Sequence, residues 1–563
     1  MGIGARCKFA DRSEVDHEGR SADRRCCSHD KCAFDIERSI CSAPAVAPFA
    51  LSRHTPMKSF HVLPLSSLLA VTLHTAHASL QLASPFSDHA VLQRDIPVPV
   101  WGWDDQPGAT ITVAFGGQTK QTLVNAAGVW RVDLEPLAAV ATGADLVVTG
   151  SSAITLHDIV VGEVWLASGQ SNMEWAMHDT RGYAAEQALP ANPLIRHLRI
   201  DHLGADLPGT RAPNGGWKSA GADTLGTFSG VGYFFAKLLS EKLQVPVGII
   251  HSSWGGTPIE SWIPEPVLRV SRSWPAFSTE WQAALKVYPE KYAQQPALEA
   301  AWQKAQADFK ATGKPVTMSW PRPPMGPGSA YRPAGLYNAM IAPLAPYALR
   351  GALWYQGESN VGRHDDYAEL LPAMIHAWRA LWPEGDFPFL VVQLPNFSDN
   401  HKATGRAWAQ LREAQAAALK FPAVGMAVTI DNDEPDNLHP TNKRPVGERL
   451  ARIALHFIHD DPELVWRGPE FQSLEREGLA LRVRFSAADG LKSSAPAVGG
   501  FEVAGADQQF HAAQAMIEGT AVIVRSPEVS DPVAVRYAYT NAPTATLVNA
   551  EGLPAAPFRT DHW

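Results

Sequence analysis

The sequence predicts an α/β fold, a doubly wound parallel sheet with a β-sandwich-type region at each end. Three observations carry this expectation. Five brief apolar runs, Val164 to Ser168, Val247 to His251, Ala352 to Tyr355, Phe389 to Gln393 and Gly425 to Thr429, lack the alternation of a half-exposed strand, as strands of a parallel sheet covered on both faces do. Helical periods separate or follow them, at Tyr233 to Leu243, Tyr367 to Leu381, Ala407 to Leu419 and Val446 to Phe457. At both ends the chain instead alternates apolar and polar residues in short runs punctuated by turn residues.

Taken in chain order, residues 1 to 56 are read as an extension translated from a start codon placed too far upstream. Residues 57 to 78 read as a signal peptide, in which Lys58 gives the positive start, Val62 to Leu73 the apolar core, and Ala76-His77-Ala78 the cleavage site. The mature chain is then expected to begin at Ser79 and to be exported, to the periplasm or the extracellular space. The apolar core is too short for a mature transmembrane helix, which needs about 20 residues. An N-terminal β-domain is expected over 79–159, with strands at Val98 to Trp101, Ala109 to Val113, Val129 to Val132 and Leu146 to Thr149, and turns at Gly116-Gly117 and Asn125 to Gly128. The α/β domain follows over 160–462. It is interrupted at about 264–333 by an insertion with a helical stretch (Trp281 to Phe309) and a Pro-rich segment (Pro321 to Pro327), placed near the rim of the site. A C-terminal β-domain closes the chain over 463–563, with strands at Leu479 to Val483, Val522 to Val524 and Val533 to Tyr537.

Composition excludes several functions. The chain has 563 residues, 45% of them hydrophobic, enough for more than one core. A formal charge of −9, with no basic run beyond the N-terminus, argues against nucleic acid or an anionic membrane as partner. All five cysteines (Cys7, Cys26, Cys27, Cys32 and Cys41) precede residue 42, so the body of the protein has neither disulfides nor thiol chemistry. Their irregular gaps do not repeat the paired spacing of a zinc module.

In an open parallel sheet, ligands bind beyond the carboxyl ends of the strands. Four polar or glycine-rich stretches sit there: Gly169 to Asn172, Ser252 to Thr257, Gln356 to Asn360, and the loop Asp431 to His439. Together they hold the parts of a serine hydrolase: nucleophile, base, a carboxylate to orient the base, and oxyanion donors. Ser171 stands at a strand-to-helix turn, which suits a nucleophile or a helix N-cap. Its surroundings lack the second glycine of the G-x-S-x-G elbow. Asp436 precedes His439 by three residues, close enough for one loop to carry orienter and base, although a solvated acidic loop looks the same. Asp431-Asn432-Asp433 does not continue as a calcium loop, because Pro435 and Asp436 replace a ligand and a glycine and no Glu closes it. Gly255-Gly256 lets backbone approach a ligand or simply turns the chain. Asn360 donates its side-chain amide or caps the next helix, and Asn360→Asp is expected to fold normally.

The blocks Gly169-Gln-Ser-Asn-Met-Glu-Trp175, Ile250 to Glu260, Trp354-Tyr-Gln-Gly-Glu-Ser-Asn360 and Asp436 to Lys443 resemble the sialate O-acetylesterase family of the SGNH hydrolases. The likeness extends from Pro85-Phe-Ser-Asp88 and Val91-Leu-Gln-Arg94 to Pro557 to Asp561, essentially all of the chain after the signal peptide. The resemblance implies a flavodoxin-like sheet and removal of acetyl esters from sugar hydroxyls through an acetyl-Ser171 intermediate, with no metal or organic cofactor. It implies Ser171 as nucleophile, His439 as base and Asp436 as orienter, with an oxyanion hole from the Ser171 N–H, Gly255 or Gly256, and Asn360. Gln170, Gln356, Glu358 and Trp254 are candidate substrate contacts. Trp254, Trp262, Trp320 and Trp354 suit stacking on sugar rings, though tryptophan is equally a core residue. Either a sialic acid or a plant hemicellulose, xylan or xyloglucan, fits as the acetylated carbohydrate. Arg332 and Arg363 are available to face a sialate carboxylate. A carbohydrate-binding or adhesion protein with a dead hydrolase core is the contrasting reading, and the intact set of four blocks argues against it. Activity is expected to fall as pH drops through about 6.5, the range of an ordinary histidine.

Overall fold

A strand of seventeen residues, β1 (Ala153–Gly169), organises the molecule. Residues 153 to 158 alternate between exposed and half-buried positions, whereas residues 159 to 169 are buried without interruption. The alternating half pairs antiparallel with Val140–Thr149 in the N-terminal β-region. The continuous half enters the central sheet. The two regions thus share one strand, and the change of burial at Ile159 takes the place of a linker.

The computed structural model describes residues 80–563 except 314, 315, 317, 319, 320, 400–403 and 460–462. The upstream extension, the cysteines, the signal peptide with its cleavage site, and Trp320 lie outside the described residues.

The other strands of the central sheet are β2 (Asn192–Ile200), β3 (Asn214–Ala220), β4 (Val247–Ser253), β5 (Gly351–Tyr355), β6 (Phe389–Val392) and β7 (Val424–Ala427). Their order is β3-β2-β4-β1-β5-β6-β7, all neighbours parallel except the edge pair of β3 with β2. The five strands expected from sequence run second, first, third, fourth, fifth, the flavodoxin-like order. β2 and β3 extend that sheet at one edge. The order reverses between β1 and β5, both of which end beside the crevice.

Helices α1 (Gly230–Leu243), α3 (His364–Leu381), α4 (Ala407–Ala416) and α5 (Arg444–His459) cover the sheet, and α2 (Trp274–Thr312) belongs to the insertion. In α5, Val446, Leu450, Ile453 and Ala454 recur at helical spacing and are buried. Each such Val, Leu or Ile side chain contributes about 2 kcal/mol by leaving water, and the alanine methyl less. α2 differs: of its 39 residues only Phe277 and Gln295 are buried.

The C-terminal region packs two antiparallel sheets face to face. Val483, Phe485, Val522 and Val524 of one meet Val503, Val535 and Tyr537 of the other in a separate core. Arg412 of α4, fully buried, ties this region to the sheet. Its guanidinium donates to the carbonyls of Leu394 and Pro395 after β6, and to those of Thr540 and Asn541 in the C-terminal region, at 2.6 to 2.8 Å. Burial pulls its pKa down to about 9, so it stays charged at neutral pH and its cost is offset by these carbonyls.

Candidate active site

At the end of β1, Gly169 has φ +134, and a Cβ there would lie 2.1 Å from the Tyr355 carbonyl oxygen. Only glycine permits this approach. It lets Gln170 N–H donate to the same carbonyl (3.0 Å) and turns the chain into the single helical turn Ser171–Glu174. The cap position is Gln170, and the Ser171 hydroxyl caps nothing. It lies instead 2.8 Å from His439 Nε2. With the proton assigned to Nδ1, Nε2 accepts from the serine.

His439 is carried on the loop between β7 and α5, with its N–H donated to Asn437 Oδ1 (3.0 Å) and its ring stacked on Trp175 at 5.4 Å. Burial pushes the imidazole below its ordinary pKa, and the Lys443 cation pushes it the same way. Lys443 is itself buried, which takes its pKa down to about 7 against the opposing pull of Glu358 and Glu434. Its ammonium donates to Asn172 Oδ1 (2.5 Å), while Asn172 Nδ2 donates to Glu358 Oε1 (2.6 Å) and to the Leu438 carbonyl (3.1 Å). One buried amide, next to the nucleophile, therefore binds the residue before His439. Burial raises the Glu358 pKa.

Asp436 departs from the expected orienter. Its carboxylate accepts the hydroxyl of Ser398, from the segment after β6, and among the described residues no hydrogen bond joins it to His439. The Ser398 N–H donates to the Pro435 carbonyl at 2.8 Å, which fixes the loop in this position. The structure brings Ser171 and His439 together and leaves Asp436 beside Ser398.

Of the expected oxyanion donors, Gly255 is otherwise engaged: its N–H donates to Glu174 Oε2 at 2.7 Å. Among the described residues nothing accepts the N–H of Gly256 or of Ser171, and both residues face the same cavity as His439. Asn360 is fully buried, and its side chain does not cap α3. Its Oδ1 accepts from Ile259 N–H (3.0 Å) and Gln356 Nε2 (2.7 Å), and Nδ2 donates one hydrogen to Glu260 (3.1 Å), leaving the second without an acceptor among the described residues.

The cavity beyond Ser171 measures about 1190 Å³, above the roughly 300–1,000 Å³ of a drug-sized site. Gln170 and Glu358 line it, Gln170 with its Oε1 accepting from Gly357 and Ser359 N–H (each 3.3 Å). Gln356 is turned inward to Thr257 and Asn360, where it supports the wall and does not line the cavity. Trp254 is a second departure, because His202 lies flat on its ring at 4.3 Å and it does not line the cavity. Trp262 and Trp354 are core residues packed edge to face. The aromatic surfaces that do line the cavity are Phe277 and Trp281 of α2, Tyr331, Phe397 and Trp408. Sequence reasoning placed the insertion near the rim but did not single out these side chains. Arg363 reaches the cavity but donates to Glu260 (2.8 Å), and Arg332 is paired with Asp206 (2.8 Å). Asp431 and Asp433, weighed as calcium ligands, are taken by Arg449 and Arg181.

A family model described as "Carbohydrate esterase, sialic acid-specific acetylesterase" matches residues 311–456. The chain is 29% identical over 450 residues to the sialate O-acetylesterase of Homo sapiens, covering 71% of this chain and 75% of that one. The corresponding values for the sialate O-acetylesterase of Rattus norvegicus are 28%, 73% and 80%. A crystal structure of a novel carbohydrate acetylesterase from Xanthomonas citri superposes with a TM-score of 0.72 at 37% identity, over 86% of this chain and 100% of that chain.

Proposed function

The chain belongs to the sialate O-acetylesterase family of carbohydrate O-acetylesterases, and from that premise we propose that it removes O-acetyl groups from sugars through an acetyl-Ser171 intermediate. The observation that carries this reading is the 2.8 Å contact of Ser171 Oγ with His439 Nε2, at the foot of a sugar-sized cavity. Ser171 Oγ attacks the acetyl carbonyl carbon while His439 Nε2 takes its proton. The tetrahedral oxyanion is met by the N–H groups of Ser171 and Gly256 and by the second amide hydrogen of Asn360. As the ester C–O bond breaks, His439 returns the proton to the departing sugar oxygen. Water then attacks the acetyl-serine with His439 again as base, and His439 returns that proton to Ser171 Oγ as the Oγ–acyl bond breaks and acetate leaves.

The sialate-type reading rests on family resemblance. A second reading, neutral acetylated hemicellulose such as xylan or xyloglucan, is favoured by the charges of the cavity. Arg332 and Arg363 are each held by a carboxylate, and although Arg322 also lines the wall, Glu260, Glu280 and Asp399 line it too, so acidic side chains outnumber that cation. Acetate release from O-acetylated sialic acid, acetylated xylo-oligosaccharides and acetylated xyloglucan separates the two. Turnover at least tenfold faster on a neutral substrate is expected from the charge pattern; preference for the sialic acid would reverse the choice, and release from none would sink the esterase mechanism.

The acid limb of kcat/KM should lie lower than an ordinary histidine would place it. A lowered pKa in the folded protein means that His439 stays neutral, and able to accept a proton, to below about pH 6.5. Activity is therefore retained above that limb and lost as pH falls through it. A pH profile with its acid midpoint at or above 6.5 would show that burial and Lys443 do not govern His439.

A further inference from the structure

Glu174 closes the helical turn that Ser171 opens, yet no step of the reaction uses it. Its carboxylate reaches to the neighbouring strand end and accepts the Gly255 N–H on Oε2 at 2.7 Å. The other oxygen lies 2.8 Å from His202 Nε2 and 3.3 Å from the Arg199 guanidinium. His202 in turn sits 3.2 Å from the Ser253 carbonyl and stacks on Trp254 at 4.3 Å with the rings 3° apart. Every residue from Ser253 to Gly255 is thus touched by the Glu174–His202 pair. The approach is tight, since a Cβ on Gly255 would lie 3.2 Å from Ser171 Cβ. Burial works to raise the Glu174 pKa, but the bonds from His202 and Gly255 outweigh it and hold the carboxyl below its ordinary value, so it remains an acceptor.

We infer that Glu174 and His202 are positioning residues that clasp the Trp254–Gly255 turn to the nucleophile turn and so aim the Gly256 N–H at the oxyanion. By taking the Gly255 N–H, Glu174 decides which of the two adjacent glycines is left to donate. The inference rests on the acetyl-Ser171 reading.

The test pairs kinetics on p-nitrophenyl acetate with inhibition by phenylboronic acid, whose tetrahedral serine adduct places an oxygen in the oxyanion hole. Glu174→Ala is expected to lower kcat roughly 10- to 100-fold with KM little changed, and to weaken the boronate by a similar factor. Glu174→Gln keeps an acceptor for the Gly255 N–H and should recover most of both. A purely structural role would move the melting temperature without tying kcat to boronate affinity. If Glu174→Ala fails to fold, His202→Phe decides, because it keeps an aromatic ring on Trp254 and removes only the polar contacts of the clasp, with Glu174 and with the Ser253 carbonyl. Parallel losses in kcat and boronate affinity support the clasp. Wild-type values for both in the folded variant, beside an inactive Ser171→Ala, overturn it. An active Ser171→Ala would instead overturn the acetyl-serine reading itself.

Discussion

Ser171→Ala is expected to lower kcat on an acetylated sugar by roughly 10⁴-fold or more and to abolish the acetyl-enzyme, while the protein melts as the wild type does. His439→Ala should cost about as much, because nucleophile and base act as a unit and either loss removes the pair. Among the described residues the geometry gives no other base to Ser171: its hydroxyl has one side-chain partner there, the imidazole at 2.8 Å. Intact-protein mass spectrometry after a rapid quench should find a single added acetyl group in the wild type and none in either variant. Asp436→Ala is expected to leave more residual activity, since its carboxylate is bonded to Ser398 and acts on the loop that carries His439. An acetylated Ser171→Ala protein would move the nucleophile elsewhere, and an Asp436→Ala variant as inactive as His439→Ala would restore Asp436 as direct orienter.

Asn360→Ala is expected to lower kcat by roughly 10² to 10³, the usual cost of one oxyanion donor, with KM little altered. Asn360→Asp should do this and also destabilise the fold, by about 3 kcal/mol. Sequence reasoning alone expects the aspartate to be accommodated as a helix cap. In the structure the amide caps nothing and faces Glu260 Oε2 at 3.1 Å, with the Glu260 side chain only 8% exposed. Aspartate would set two buried carboxylates against each other, and one would have to take up a proton. Urea denaturation and acetate-release kinetics on both variants check this. Near wild-type turnover by folded Asn360→Ala would leave the oxyanion to Ser171 and Gly256 alone.

The five buried strands were legible because an unbroken apolar run has few other homes in an α/β domain. β2 was not, and the reason lies in Arg196 and His197. Both are buried within the strand, Arg196 donating to the Asp158 carbonyl and His197 stacked on Phe228 at 4.5 Å. In sequence, such residues read as surface. The meeting of Ser171 with His439 could be anticipated, since strand ends in a parallel sheet converge and the resembling blocks sit on them. The capture of Asp436 by Ser398, and of the Gly255 N–H by Glu174, could not. Each is a long-range hydrogen bond between loops, set by a carboxylate's choice among nearby donors, and no local pattern records that choice. The aromatic wall was hidden for another reason: α2 is mostly exposed, so Phe277 and Trp281 stand in a segment with no strong apolar stripe.

Arg412 bears on whether the C-terminal region is separable from the hydrolase. Sandwich-like appendages on enzymes are commonly imagined as cargo, gained or shed by recombination while the catalytic unit carries on. Here the guanidinium that braces Leu394 and Pro395 is half satisfied by Thr540 and Asn541, and the Asn541 carbonyl also receives the Phe397 N–H. Phe397 and Ser398 then shape the cavity and hold Asp436. Excising the tail would strand a buried cation and release the segment next to the base, so the hydrolase and its last hundred residues depend on each other as one structural unit.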